Sequence, residues 1–116
     1  MARDKQNPVR DLLTSCHGFE WDLGNADKNW FLHQVTRLEA EQVFFNRPLV
    51  GGTARSAGRE RRFAVLGTTR SGRLLFVVFT VRKRLSRIIS VRDMSRAERG
   101  IYDHAKQQDE EDPQVP

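Results

Sequence analysis

Residues 72–99 read GRLLFVVFTVRKRLSRIISVRDMSRAER, and this stretch predicts the centre of the fold. It opens with a six-residue apolar run, Leu74–Phe79, in which four residues are valine or phenylalanine, both strong strand formers. The run is too short to cross a membrane, whereas its composition is typical of a strand covered on both faces. We therefore expect it to be the buried central strand of a sheet.

The remainder of this stretch predicts a further strand and a helix. From Arg87 to Arg92 the residues alternate, so that Arg87 should lie on one face and Ser90 and Arg92 on the other. Ser95 and Glu98 have the spacing of a capping box, in which the two side chains bond the free amides at the start of a helix. The predicted order is therefore strand, strand and helix.

The preceding residues predict a short strand and two helices. Residues 19–22 alternate as an edge strand does, and the aspartate that ends them is placed to cap a helix reaching about Gln34. Thr36 and Glu39 form a second capping box, which begins a helix that we expect to end near Asn46.

The segment between these helices and the central strand contains a predicted loop and a predicted strand. Residues 47–58 are glycine-rich and polar, which favours a mobile loop. Residues 60–67 resume as a strand and form a hairpin with the central strand through turn residues 70–72. The fold class predicted is α+β, with a short N-terminal strand, two helices, a three-stranded antiparallel meander and a C-terminal helix.

Length and composition are those of one small globular domain, because 38% of the 116 residues are hydrophobic and 30% are charged. We expect residues 1–17 to form a flexible arm, residues 18–106 the folded domain, and residues 107–116 a disordered acidic tail. The charged N-terminus is not followed by an apolar stretch, so neither a secretory signal nor a membrane anchor is predicted. A cytoplasmic location is expected.

Charge predicts a polyanionic partner. The chain carries a formal +5, but residues 109–112 hold four of the 15 acidic residues, so the preceding part of the chain carries +9. Most of the basic residues are arginine, whose planar fork matches phosphate oxygens. The alternative is that these side chains only solvate a small surface.

Metal and cofactor sites are not expected. Cys16 is the single cysteine and cannot form an internal disulfide. The neighbouring Cys16-His17 pair has no partner elsewhere at a spacing typical of metal ligands.

Several short motifs, taken together and in order, resemble the BrnT toxin family. They are FEWD at 19–22, TRLEAEQVFF at 36–45, GRLLFVVFT at 72–80 and RIISVR at 87–92, together with Asn29, His33, Val35, Arg62, Phe63, Gly67, Ser95, Arg96, Glu98, Arg99 and Tyr102. The resemblance covers residues 19–102 and implies a RelE-like fold and a ribonuclease that inhibits translation. It also implies neutralisation by a BrnA-like ribbon-helix-helix antitoxin, through which the complex binds operator DNA and represses its own operon.

Two positions depart from the family pattern. A Lys-His-Gly turn is usual between the first two helices, whereas this sequence has Leu32-His33-Gln34. The family also has an acid just before its Arg-aromatic strand start, and here Arg61 separates Glu60 from Arg62. These departures imply that activity could be weakened or lost.

Metal-independent RNA cleavage needs a base for the ribose 2′-OH, cations for the pentavalent phosphorane and an acid for the leaving oxygen. The candidate catalytic residues are His33, Glu60, Arg62, Arg92 and Tyr102. His33 is preferred as the base, since histidine ordinarily titrates near neutral pH, and Glu60 is second. The candidate residues for binding RNA and phosphate are Lys28, Arg61, Arg87, Ser90, Arg96 and Arg99.

Arg92 and Arg96 are preferred for phosphate, because free amides are expected where the strand meets the helix N-terminus. Each acid–base candidate also has a structural interpretation: His33 as a solvent-facing residue, Glu60 as a surface ion pair and Tyr102 as part of the core.

Two other functions remain open. The chain could be an inactive toxin homologue that acts only as an antitoxin-bound co-repressor, or a general nucleic-acid-binding domain. Proteins of the latter class stack bases on exposed aromatic residues, and Phe76 and Phe79 are both assigned to the buried strand.

Overall fold

The computed structural model describes residues 13–57 and 60–111, which form an α+β domain and confirm the predicted class. In chain order the elements are β1 (Phe19–Glu20), α1 (Leu23–His33), α2 (Arg37–Phe44), β2 (Leu49–Ala57), β3 (Glu60–Thr68), β4 (Leu74–Arg82), β5 (Leu85–Asp93) and α3 (Arg96–Glu111). The strand order in the sheet is β1-β5-β4-β3-β2, with β1 parallel to β5 and the other pairs antiparallel.

The central position of β4 was predicted correctly, but only one of its faces is fully covered. Leu75, Val77 and Phe79 are completely buried beneath α2, on what we call the core face. Leu74, Phe76 and Val78 point to the opposite face and are only partly buried. We call this second face the open face.

A bulge in β5 overturns the predicted alternation. Val78 pairs with Ser90, but the next residue, Phe79, pairs with Ile88, so one extra residue of β5 lies between them. A bulge of this kind changes which side chains share a face. Arg87 and Arg92 therefore both lie on the open face, and the expectation that they lie on opposite faces was wrong.

Two further features differ from expectation: an additional strand and a longer last helix. The predicted loop 47–58 is mostly strand β2, which pairs with β3 through two irregularities in register. An edge strand can be held by backbone hydrogen bonds without a periodic apolar pattern. The glycine-rich sequence of β2 therefore did not predict a strand. The last helix continues to Glu111, into the stretch assigned to the acidic tail.

The proposed N-terminal arm lies partly within the described residues. Leu13 packs against the core, and the His17 amide donates to the Arg84 carbonyl. Residues 1–12 and 112–116 lie outside the described part of the chain, so the remainder of the arm and tail predictions stays untested.

The helices are fixed by the caps that the sequence predicts. Asp22 accepts a hydrogen bond from the Asn25 amide at the start of α1, and Thr36 with Glu39 forms a complete capping box on α2. A side chain on Gly67 would meet Val43 of α2 at 2.5 Å, so glycine allows this helix to approach the sheet closely.

The turn after α1 keeps its conformation although the sequence departs from the Lys-His-Gly pattern. Gln34 caps α1 with φ 53° and ψ 44°, a left-handed conformation that glycine adopts without strain. The amide of Gln34 still donates to the Trp30 carbonyl at 2.8 Å. The turn is thus kept, and glutamine adopts the conformation that a glycine would adopt more easily.

We expect Gln34→Gly to stabilise the protein by about 0.5–1 kcal/mol, since it removes the strain of a left-handed non-glycine residue. For a domain of this size the melting temperature should rise by about 3–6 °C, as thermal denaturation would measure. Gln34→Ala keeps the Cβ and should give no increase. An equal increase in both variants would show that the backbone conformation is not the cause.

Candidate active site

The register of the sheet brings charged side chains from four strands together on the open face. Thr80 pairs with Arg87, and Arg87 pairs with Glu20 of β1. Phe63 pairs with Phe79, so one step further along this register places Arg62 opposite Thr80. Arg62, Thr80, Arg87 and Glu20 therefore form one cross-strand row, with neighbouring strands about 4.8 Å apart.

Glu60 lies beside this row and is surrounded by positive charge. Arg82 Nε donates to Glu60 Oε2 at 2.5 Å. This hydrogen bond is the main reason that the pKa of Glu60 is lowered, and the charges of Arg82, Arg87 and Arg62 add to the effect. We refer to Glu60, Arg62, Arg82 and Arg87 as the Glu60 cluster. Its carboxylate is ionised at neutral pH.

The three arginines of this cluster are held differently. Arg87 forms ion pairs with Glu20 at 3.5 Å and with Asp22 at 3.3 Å. Arg62 has a buried Nε with no hydrogen-bond partner in the described part of the chain. A buried unpaired donor is unfavourable.

Arg82 was not among the candidates, because it begins the basic sequence Arg82-Lys83-Arg84, which is typical of a connection between two strands. It is the last residue of β4, where the alternation continues and directs it to the open face opposite Leu85. The signal in the sequence was the even spacing from Phe76 through Val78 and Thr80 to Arg82.

Arg92 lies further along the open face and is held by a second carboxylate. Its Nη1 and Nη2 donate to the two oxygens of Glu98 at 2.8 Å each, and its Cζ lies 4.3 Å from the centre of the Phe76 ring. The bond from Arg92 is the main reason that the pKa of Glu98 falls to about 2. Phe76 is therefore not enclosed in the core, in contrast to the expectation for both strand phenylalanines.

Two of the amides expected to be free at the start of α3 are already engaged. The Ser95 amide donates to Glu98 Oε1 at 2.8 Å, and the Glu98 amide donates to Ser95 Oγ at 3.2 Å. The predicted capping box is thus confirmed. The ionised carboxylate of Glu98 lies at this helix start and would repel a phosphate there, which weakens the case for phosphate binding by Arg92 and Arg96.

His33 lies far from the Glu60 cluster. It is close enough to Asp93 to contribute to the lowered pKa of that carboxyl, whose main cause is the hydrogen bond from Arg73. Arg73 also donates to the His33 carbonyl at 2.9 Å. Arg87 and Asp93 are six residues apart on β5, which corresponds to about 20 Å. The two preferred acid–base candidates are therefore at opposite ends of the strand.

The other predicted residues are distributed over several surfaces. Tyr102 is buried, and its hydroxyl lies 2.7 Å from Thr68 Oγ1, which fits a structural position. Ser90 lies on the open face between the Glu60 cluster and Arg92, opposite Val78. Arg61 contacts the Phe63 ring on the core-face side of β3. The remaining candidates are exposed on helices: Lys28 on α1, and Arg96 and Arg99 on α3.

The described residues include no cluster of three or more acidic, histidine or cysteine side chains that could hold a metal ion. Within that same part of the chain, none of the helices is long and apolar enough to span a membrane.

The family model described as "Ribonuclease toxin, BrnT, of type II toxin-antitoxin system" matches residues 21–98, about two thirds of the chain. This chain belongs to the BrnT family. Its fold is similar to the 1.1 Å crystal structure of the Brucella abortus ribonuclease toxin BrnT, at 16% identity and a TM-score of 0.50, over 68% of this chain and 97% of that one. Among curated proteins, none matches the sequence.

Membership in the BrnT family confirms the resemblance seen in the sequence motifs. As a family of type II ribonuclease toxins, the BrnT family has RNA as its target and an antitoxin as its partner. The matched residues include the Glu60 cluster, Arg92 and Glu98. The charged groups of the open face described above are therefore within the region that matches the family model.

The Arg92–Glu98 pair predicts a pH-dependent stability difference in Glu98→Gln. Because the folded state lowers the pKa of Glu98 from 4.5 to about 2, the stabilisation is complete above about pH 4.5 and is lost as the pH falls toward 2. We expect the loss of unfolding free energy in Glu98→Gln to be largest near pH 7 and to shrink near pH 3, as urea denaturation would measure.

Asp103→Asn is the control, because it removes one negative charge from an exposed position of the same helix. A difference between Glu98→Gln and the parent that is the same at both pH values would show that the ion pair does not contribute.

Proposed function

We propose that this chain is an endoribonuclease that binds RNA across the open face and cleaves it at the Glu60 cluster. The observation that carries the proposal is the ionised Glu60 carboxylate close to three arginines on a partly exposed sheet face. Membership in a family named as ribonuclease toxins supports the reaction class. The geometry favours Glu60 over His33, because His33 lies at the other end of β5, near Asp93.

The proposed reaction needs no metal ion, because guanidinium groups supply the positive charge. The Glu60 carboxylate accepts the proton of the ribose 2′-OH, and the 2′ oxygen attacks the adjacent phosphorus. Arg62, Arg82 and Arg87 stabilise the added negative charge of the pentavalent phosphorane. The bond to the 5′ oxygen breaks, that oxygen takes a proton from water, and the products end in a 2′,3′-cyclic phosphate and a 5′-hydroxyl.

Arg82 has two roles in this mechanism, one before and one after the substrate binds. In the free protein it holds Glu60, which keeps the pKa of the carboxylate low and makes it a weak base. When a phosphate engages the arginines, it competes with Glu60 for Arg82, and the carboxylate becomes a better proton acceptor. Substrate binding would therefore activate the base.

Glu60→Gln tests this assignment, since glutamine keeps the size of the side chain and cannot accept the proton. We expect cleavage of a labelled RNA, in chelator, to fall by about 10²-fold or more, without loss of RNA affinity. His33→Gln is the matched variant and should retain cleavage. If His33→Gln loses cleavage and Glu60→Gln keeps it, the reaction takes place at the other end of β5.

The same assay tests the co-repressor alternative. If the parent protein binds RNA and never cuts it, even with ribosomes added, the ribonuclease proposal fails for this chain. Loss of cleavage when the chelator is present, with recovery on adding a divalent cation, would contradict the metal-independent mechanism.

We also propose that a BrnA-like ribbon-helix-helix antitoxin neutralises the chain and carries the complex to operator DNA. The helical side offers such a protein an apolar contact surface, because α1 ends in three exposed side chains. The exposed fractions are 53% for Trp30, 84% for Phe31 and 62% for Leu32, and α2 adds Leu38 at 64%. Exposed apolar surface of this kind is typical of protein interfaces.

Phe31→Ser should weaken binding of a BrnA-like ribbon-helix-helix antitoxin by about tenfold or more, since aromatic residues often dominate an interface. RNA cleavage should be unchanged, because Phe31 is on α1 and not on the open face. Titration calorimetry would measure the affinity, with Arg87→Ala as the comparison. If Arg87→Ala loses the interaction and Phe31→Ser does not, the antitoxin covers the open face instead, as expected from charge complementarity alone.

A further inference from the structure

Arg92 differs from two arginines of the Glu60 cluster in how it is paired: one carboxylate binds both of its terminal nitrogens, whereas Arg87 is shared between Glu20 and Asp22 at 3.5 and 3.3 Å and Arg82 is bound to Glu60 through Nε. Glu98 binds Arg92 through two parallel hydrogen bonds of 2.8 Å, the strongest geometry for this pair. Arg92 Nη1 also donates to the Asp93 carbonyl at 3.1 Å. A phosphate at Arg92 would have to displace or approach the ionised Glu98, so phosphate binding is disfavoured at this residue.

The remaining surface of Arg92 is flat and lies beside aromatic and aliphatic side chains. Its Cζ lies 4.3 Å from the centre of the Phe76 ring, and 36% of the Arg92 side chain is exposed. Leu66 pairs with Phe76, and Phe76 pairs with Arg92, so the three side chains form one cross-strand row on the open face. Unpaired bases stack on such aromatic rings and guanidinium planes.

We propose that Arg92 and Phe76 form a stacking platform for one unpaired nucleobase of the RNA. This inference rests on the proposed function and adds a base subsite to it. The phosphates are bound at the Glu60 cluster, and the platform lies along the same strand: Thr80 and Phe76 are four residues apart on β4, or about 13 Å. Glu98 is a positioning residue that holds the guanidinium over the ring.

The salt dependence of binding separates a stacking role from a phosphate contact. The probe is a single-stranded 2′-O-methyl RNA, which has no free 2′-OH and so cannot undergo the proposed cleavage. We expect Arg92→Ala to weaken binding about tenfold, with no change in the slope of log affinity against log salt. Arg87→Ala, at a proposed phosphate contact, should reduce that slope by about 0.7.

Arg92→Lys provides a second variant that keeps the positive charge. A lysine cannot form the bidentate pair or present a planar surface, so it should lose as much affinity as Arg92→Ala. Near-full affinity in Arg92→Lys, or a slope reduced by about 0.7 in Arg92→Ala, would overturn the platform. Thermal denaturation of both variants controls for folding.

A probe with one abasic position identifies the stacked base. Removing that base should weaken binding by the parent about tenfold and have little further effect on Arg92→Ala, because both changes remove the same interaction. Additive losses at every position would overturn the proposal. If the parent cleaves RNA but these couplings are absent, the platform fails alone, whereas a parent that neither binds nor cleaves RNA removes the proposed function as well.

Discussion

One arginine side chain, Arg73, joins the two central helices to the sheet. Its guanidinium donates to the carbonyls of His33 and Gln34 at 2.9 and 2.8 Å, to Asp93 at 2.8 and 3.2 Å, and to Glu39 at 3.4 Å. It thereby connects the end of α1, the start of α2 and the end of β5. An exposed ion pair contributes about 0–1 kcal/mol, but here one planar group satisfies helix-terminal carbonyls and two carboxylates together.

The position of Arg73 depends on the hairpin that precedes β4. Gly72 adopts φ +97°, which a residue with a side chain rarely does, and the Thr69 amide donates to the Arg73 carbonyl at 2.9 Å. Thr69 is itself buried and accepts from the Arg73 amide through its hydroxyl. The turn thus sets the place of the guanidinium, and the guanidinium sets the place of the helices. His33 is held at this junction through its backbone, remote from the Glu60 cluster.

The sequence predicted the fold well where local chemistry determines the structure. The three helix caps at Asp22, Thr36 and Ser95 depend on side chains within three residues of each other, and all three were predicted correctly. The bulge in β5 was not predictable, since it arises from pairing with β4. It moves Arg87 to the face of Arg92 and so adds one of the three arginines to the Glu60 cluster. Strand β2 was missed for a similar reason, because its partner across the sheet, not its own pattern, makes it a strand.

Composition predicted that the partner is a polyanion. It could not predict which arginines bind this partner, because that depends on which of them are already paired with carboxylates of the protein. Arg73 and Arg92 are bound by carboxylates at 2.8 Å, and Arg87 is shared between Glu20 and Asp22 at longer distances. Arg62 leaves a buried donor unsatisfied within the described residues, and Arg82 is held by the same carboxylate that we propose as the base. Counting positive charge therefore overstates the phosphate-binding surface. The open face therefore has two regions: the Glu60 cluster, where Arg87 is held only by contacts of 3.3 and 3.5 Å and which we propose for phosphate, and Arg92, which two parallel bonds of 2.8 Å hold in place and which we propose for a base.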